Sequence, residues 1–340
     1  MIQVLNEDAK SVDWWFIYKT PEYSGSKDNL GYDYLYYDAD GKELVLSEYK
    51  LNETKGALSY TLDNIFKNKS KETGYVVYND EHTDEDRNDN RRGHCKGILV
   101  FNKEEDQAVF MLHSTPRFPA KNETTLPERE KKYGQTFICI TLSGYAEINK
   151  IASQMLNQQN PQVLDESSYM PDSISKNDAI YKLFKGDSFE QSKQPETICI
   201  TSKAGKEFKL IAKSKSWGED FWIDLVSPEL DEDLIVESWR RGTVPPAEDA
   251  TSSEEDEDVI TIKFYKKDAY DFEWEYTKDH AKWATSIANK TSKKQWVCVA
   301  DLNRMVSQEK RGGGTLCFEE QNLWKALQKA EEKLHEQGKK

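Results

Sequence analysis

Several common signals are missing from this 340-residue chain, and each absence removes a class of function. It has no run of 18 apolar residues, and its mean hydropathy of -0.84 with a charged fraction of 32% gives no membrane-spanning helix. There is no His-Glu-x-x-His, no Cys-x-x-Cys and no Asp-rich loop with a central glycine. The ordinary zinc and calcium signatures are therefore absent, and neither a metal nor another cofactor is expected. Basic excess is missing too: the formal charge is -14 and the pI near 5.0. That balance disfavours a nucleic-acid binder, because affinity for phosphates comes mainly from Lys and Arg. Net charge misleads where basic residues gather locally, and Lys213, Lys215, Arg240, Arg241, Arg304 and Arg311 are expected to line one groove. Acid would help such a groove, since below about pH 5 many carboxylates protonate and histidines are charged.

Histidine and cysteine are both scarce, at five each. An odd cysteine count leaves at least one thiol unpaired within the monomer. His82 lies in a polar run and His335 in the last helical segment, where solvated side chains are expected. The acidic run 254–258 reads as a solvated loop. Against this scarcity, the tripeptide pattern His-x-Lys occurs twice, at His94-Cys95-Lys96 and His280-Ala281-Lys282, about half a chain apart. The first copy leads into an apolar strand (97–101), a charged turn, a second strand (108–112) and then His113. The second copy runs in the same order through Trp296 to Val299 and on to Asp301 and Asn303.

Residues i and i+2 of an extended chain point to the same side, so each copy presents an imidazole and an ammonium together, while Cys95 and Ala281 point away. Two such units meeting about a pseudo-twofold axis would give one pocket two imidazoles and two ammonium groups, which suits a phosphodiester. One histidine would attack phosphorus, the other would protonate the leaving oxygen, and the lysines would neutralise the non-bridging oxygens. A single His-x-Lys is a weak motif, and the weight rests on the repetition and its matching frames. Asn79, Asp301 and Asn303 are candidates to orient the imidazoles, or simply turn residues capping strand ends. Arg311-Gly312-Gly313-Gly314-Thr315 reads either as a turn or as backbone able to approach a phosphate.

Longer words carry a resemblance. They are Val12-Asp13-Trp14-Trp15 with Tyr18-Lys19 and Pro21, Tyr78-Asn79-Asp80, Arg92 to Gly97, Leu112 to Pro119, Tyr133-Gly134-Gln135-Thr136, Asp279 to Trp283, Cys298 to Arg304 and Arg311 to Cys317. In this order they resemble the deoxyribonuclease II family of the phospholipase D-like group. The resemblance implies an endonuclease that cuts DNA in acid without a divalent cation, leaves a 3′-phosphate, and grips duplex DNA as a homodimer. It matches His94 and Lys96 to the first catalytic pair, His113 to an accessory histidine, and His280 and Lys282 to the second pair. It does not settle the nucleophile, although analogy favours His94 with His280 as acid. It pairs Cys298 with Cys317, matches Cys139 to a family cysteine whose usual partner is missing here, and leaves Cys95 and Cys199 without one. It also implies a lysosomal or secreted protein. The segment Met1 to Glu7 is not a signal peptide, whereas acceptor sequons at Asn52, Asn68, Asn122 and Asn289 suit secretion. Other phospholipase D-like substrates, RNA or a lipid head group, and a non-catalytic homologue on the same scaffold, stay open.

The expected fold is α/β of the mixed α+β kind: a phospholipase D-like pseudo-dimer of two sheet-and-helix halves, with the site at their interface. The break falls in the polar stretch after Asn157, giving halves 1–160 and 161–340. Strands are expected at 12–18, 74–78, 97–101, 108–112 and 136–142, then at 197–201, 208–212, 233–239, 259–265 and 295–300. Helices are expected at 145–156 and, amphipathic, at 323–334.

Overall fold

The computed structural model describes residues 1–68, 70–89, 91–186, 191–245, 257–287 and 294–333. Asn289, Leu334, His335 and most of the acidic run, residues 254–256, lie outside the described residues. The first sheet holds β1 (Trp14–Lys19), β2 (Tyr34–Asp38), β3 (Val45–Leu46), β4 (Thr73–Tyr78), β5 (Gly97–Asn102), β6 (Gln107–His113) and β7 (Gln135–Leu142), in the order β3-β2-β1-β7-β6-β5-β4. The second holds β8 (Glu196–Thr201), β9 (Glu207–Lys213), β10 (Leu234–Glu237), β11 (Glu257–Lys266), β12 (Tyr270–Glu275), β13 (Trp283–Ser286), β14 (Trp296–Ala300) and β15 (Gly313–Glu319). Its order is β12-β11-β10-β13-β14-β15-β9-β8, with β16 (Glu331–Lys333) pairing β11. The helices are α1 (Ala57–Phe66), α2 (Tyr145–Gln154), α3 (Ala179–Phe184), α4 (Ser227–Leu230), α5 (Val306–Glu309) and α6 (Gln321–Ala330). This is the mixed, two-sheet arrangement expected of phospholipase D-like halves.

Alternation along each strand decides what packs where. Trp14, Phe16 and Tyr18 of β1 and Ile138 and Ile140 of β7 join Leu210, Val297, Val299, Leu316 and Phe318 of the second sheet in one central core that includes α2. Trp15, Ile17, Phe137 and Cys139 face the opposite way and pack with α1. Trp296, Cys298 and Cys317 form a third cluster on the outer face of the second sheet, with Phe221 to Leu230. The sheets thus stack with a shared interior and a cover on each outer face, so Trp14 and Trp15 are both buried although they point in opposite directions. Burial of each such large side chain contributes about 1.5–3 kcal/mol.

Strands β2, β3, β12, β13, β15 and β16 escaped the sequence reading, and the helix expected at 323–334 ends at Ala330, where the backbone turns into β16 to pair with β11. In β12 the signal was present, since Tyr270, Phe272 and Trp274 alternate with acidic residues. In β15 it was hidden by glycine: an added Cβ at Gly313 would lie 2.6 Å from Leu302 and one at Gly312 2.4 Å from the carbonyl of Gln159. These glycines belong to close packing at a strand start, and the phosphate-cradle reading loses its motive. The expected Cys298–Cys317 bridge is present, between paired positions of β14 and β15, while Cys95, Cys139 and Cys199 are free. Closing a loop of 19 residues stabilises by about 3 kcal/mol on chain-entropy grounds. The double variant Cys298→Ala/Cys317→Ala is expected to lower the urea midpoint, with a transition slope equal to or slightly above that of the wild type because the unfolded chain loses its cross-link.

Candidate active site

Both His-x-Lys tripeptides sit at the entrance of a strand, His94–Lys96 before β5 and His280–Lys282 before β13. Cys95 and Ala281 are fully buried in the central core, as alternation requires. The pairing registers relate the halves residue by residue. The Lys96 carbonyl accepts from the His113 amide at 3.2 Å, and the Lys282 carbonyl from the Ala300 amide at 2.8 Å. The structural counterpart of His113 is therefore Ala300, so the parallel between His113 and Asp301 is off by one residue. Tyr78 pairs with Gly97 and Glu237 with Trp283, which makes Asp80 the counterpart of Trp239, two residues beyond each strand end.

The halves grip one another reciprocally. The amide of His94 donates to the carbonyl of Gly312 at 2.8 Å, and that of His280 to the carbonyl of Gly134 at 2.9 Å. Both tripeptides share one electrostatic field: the charge on Lys96 acts on His280 and on Lys282, and that on Lys282 acts on His94.

His94 is oriented through Nδ1. Its Nδ1 lies 2.7 Å from the Asp301 carbonyl, which can only accept, so Nδ1 carries the proton and the neutral ring keeps its lone pair on Nε2. That Nε2 lies 3.4 Å from Oδ2 of Asp80. Asp80 also pairs with Lys96, and its Oδ2 is 3.6 Å from Nη1 of Arg311. Burial alone would raise the Asp80 carboxyl, but Lys96, His94 and Arg311 outweigh it and hold the group below the usual carboxylate range.

His280 is held by rings. Tyr133 stacks on it with centroids 4.0 Å apart and planes 10° apart, and Trp239 lies 4.4 Å away. Among the described residues its Nε2 has no hydrogen-bond partner. The preceding residue, Asp279, is the anchor: it accepts from the Ala281 amide at 2.8 Å, Tyr18 Oη at 2.5 Å and Trp274 Nε1 at 2.7 Å. His113 packs between Phe137 and Phe118 and accepts at Nδ1 from the Thr115 amide at 3.2 Å, and among the described residues its Nε2 has no hydrogen-bond partner.

Burial and the ammonium groups keep all three imidazoles neutral. Burial, then Lys96, pushes His94 well below its ordinary value. The same causes bring His113 down to about 3, and burial with Lys282 brings His280 down to about 2. Burial, then Lys96, lowers Lys282 to about 7. Burial raises Asp301 to about 7 against the pull of Lys96, while its Oδ2 accepts from the Gly314 amide at 3.1 Å.

Not every candidate touches the imidazoles. Asn79 donates to the carbonyls of Thr115 and Phe118, both at 3.0 Å, and so fastens the loop after His113. Asn303 accepts from the Trp239 amide at 3.2 Å and reaches His280 only through that ring. Arg311 donates to the carbonyls of Arg92 and Gly93 at 3.1 and 3.2 Å, beside His94. The expected basic groove is thinner than the sequence suggested. Lys213, Arg240 and Arg304 are buried, the two arginines against Asp258, which leaves Lys215, Arg241 and the half-buried Arg311. His82 is also buried, not solvated: Nδ1 accepts from the Asp84 amide at 3.0 Å and Nε2 lies 3.4 Å from Glu166, whose carboxylate, like that of Asp165, is paired with Arg87.

Sequence reasoning passed over Asp80, Tyr133 and Trp239. The first two sat inside the words Tyr78-Asn79-Asp80 and Tyr133-Gly134-Gln135-Thr136; Trp239 carried no comparable signal.

Two stacked sheet-and-helix halves, each bringing one His-x-Lys end to a common site, define a phospholipase D-like architecture. The family profile described as deoxyribonuclease II matches residues 3–337. A relative from Burkholderia pseudomallei named for deoxyribonuclease-2 is 39% identical over 329 residues, covering 95% of this chain and 90% of that protein. Deoxyribonuclease-2-alpha of Bos taurus is 31% identical, covering 94% and 86%, and deoxyribonuclease-2 of Caenorhabditis elegans 33%, covering 94% and 90%. The chain belongs to the deoxyribonuclease II family.

Proposed function

We propose that the protein is an acid endodeoxyribonuclease that cuts DNA through a phosphohistidine, without a metal, and leaves 3′-phosphate ends. The observation that carries this reading is the Nδ1–H of His94 on the Asp301 carbonyl, which leaves Nε2 as an oriented nucleophile beside two buried lysines. Nε2 of His94 attacks phosphorus and the bond to the 5′ oxygen breaks. That oxygen takes a proton from the His280 imidazolium and leaves as a 5′ hydroxyl. Water then attacks the phosphohistidine, neutral His280 accepts its proton, and the N–P bond breaks to release the 3′-phosphate. Lys96 and Lys282 stabilise charge on the non-bridging oxygens, and the Asp301 carbonyl stabilises the positive ring of the intermediate. His113 flanks the site as an accessory group, Arg311 and Asp80 set the side next to His94, and Asn79 and Asn303 act through the loops they hold. Each of the units 1–160 and 161–340 supplies one histidine and one lysine; duplex DNA gripped by a homodimer is part of the proposal.

The test is cleavage of plasmid DNA, RNA and phosphatidylcholine side by side at pH 5 in EDTA, with end-group analysis. Cutting of plasmid to 3′-phosphate and 5′-hydroxyl ends is the expected result. Ends with 5′-phosphate, arrest by chelator, or preference for either other substrate would overturn it.

A further inference from the structure

Each sheet buries a lysine at the same place. Lys19 ends β1 and pairs with Gln135 of β7; Lys213 ends β9 and pairs with Gly313 of β15. Both are fully buried. The Lys19 ammonium donates to the carbonyls of Tyr133 at 2.5 Å, Lys131 at 2.8 Å and Thr20 at 3.0 Å. The Lys213 ammonium donates to the carbonyls of Glu309 at 2.7 Å, Arg311 at 3.0 Å and Gln308 at 3.4 Å. Two of the acceptors correspond between the halves, since Tyr133 and Lys131 precede Gln135 by two and four residues, as Arg311 and Glu309 precede Gly313. Neither ammonium has a carboxylate within 4.0 Å among the described residues, so each is a buried cation satisfied by carbonyls alone, using its three donors. Such a group is costly to bury, and stabilising a surface turn would not require it twice in register.

What the clamped loops carry supplies the reason. The Lys19 loop ends in Tyr133, stacked on His280, and Gly134, whose carbonyl receives the His280 amide. The Lys213 loop ends in Arg311, beside Asp80, and Gly312, whose carbonyl receives the His94 amide. Each lysine therefore lies two steps from the histidine of the opposite half. We propose that Lys19 and Lys213 are paired positioning residues, Lys19 fixing the loop that aims His280 and Lys213 the loop that aims His94. The proposal rests on reading those histidines as the reacting groups, yet its structural half can be tested without turnover.

The experiment uses the full chain with ¹³C-labelled histidine, in wild type, Lys19→Met and Lys213→Met. Methionine keeps most of the buried volume and removes the donors. Expected is a shift of the His280 imidazole resonance in Lys19→Met with His94 unmoved, and the reverse in Lys213→Met. On DNA each variant should lose about 10²-fold in kcat at nearly constant KM, the size of loss that small misplacement of a reacting group produces. On a p-nitrophenyl phosphodiester, which needs no proton on its leaving group, Lys19→Met should keep the single-turnover burst of nitrophenolate and Lys213→Met should lose it, while water attack on the phosphohistidine still needs His280. If a methionine variant does not fold, Lys19→Gln or Lys213→Gln, which retain two donors, are read the same way with a smaller expected loss. Unchanged resonances and kcat in both variants, or equal shifts of both histidines in each, would overturn the pairing. Wild-type protein inactive on DNA would instead sink the nuclease reading and leave the resonance test standing.

Discussion

Replacing His94 with alanine is expected to remove cleavage of DNA and of a p-nitrophenyl phosphodiester alike, whereas His280→Ala removes the first and, with the second, still releases about one equivalent of nitrophenolate in a burst before the phosphohistidine stalls for want of a base. The difference follows from the roles. Without the Nε2 lone pair at position 94 no phosphohistidine forms, whatever the leaving group. Without His280 a deoxyribose 5′ oxygen would have to depart unprotonated, while a nitrophenolate departs readily as an anion. General acid catalysis is worth about 10²–10⁴-fold, so His280→Ala should lose that much on DNA. His94→Ala should fall further still. Neither change need unfold the protein, because the strands that begin at Gly97 and Trp283 keep their pairing; matched thermal transitions check this. A nitrophenolate burst slowed in His280→Ala as much as DNA cleavage is would reverse or dissolve the division of labour.

Activity in EDTA is expected to fall about 10²–10³-fold in kcat/KM between pH 5 and pH 8, since one acid group alone loses about tenfold per pH unit above its pKa. Three groups act with the same sign. His280, down at about 2 in the protein alone, is neutral, and an arriving phosphodiester offsets Lys282 and Lys96 and raises its proton affinity; acid then supplies the proton it must donate. Lys282 is charged below about 7 and loses that charge above it. Asp301 is neutral below about 7 and anionic above it. Alkali thus withdraws one cation and adds one anion where phosphate must bind, and KM should rise together with the fall in kcat. Lys282→Arg, which stays charged throughout, should shrink the KM limb to the part that Asp301 supplies and leave the kcat limb. Equal rates at pH 5 and pH 8 would refute the charge argument.

Much of this site could be read before any coordinates. Alternation at i and i+2 put His94 with Lys96 and His280 with Lys282, and sent Cys95 and Ala281 inward. Partners contributed through the backbone were invisible, because every residue has a carbonyl. Nothing local marks those of Asp301, Gly134 and Gly312 as the ones that meet histidines. The basic groove failed for a related reason: Lys213, Arg240 and Arg304 are counted as surface charge by composition, yet packing buries them against carbonyls and Asp258. Asp80 carries no signal of its own within the word Tyr78-Asn79-Asp80, since its role depends on Lys96 and on Arg311.

By itself the sequence determined which side chains travel in pairs, that the chain carries two such units, and which family its words match. Tertiary structure alone decided that the pairs share one field, that His94 presents Nε2 and not Nδ1, and that three histidines are neutral while Lys282 and Asp301 titrate near 7. The physical reason is that protonation and tautomer are set by desolvation and by charges a few ångströms away. Some of those neighbours are local, as Lys96 is to His94 and His113 and Lys282 to His280. The others, Lys282 and Arg311 for His94 and Lys96 for His280, Lys282 and Asp301, come from the opposite half of the chain, and the stacking of the two sheets brings them there.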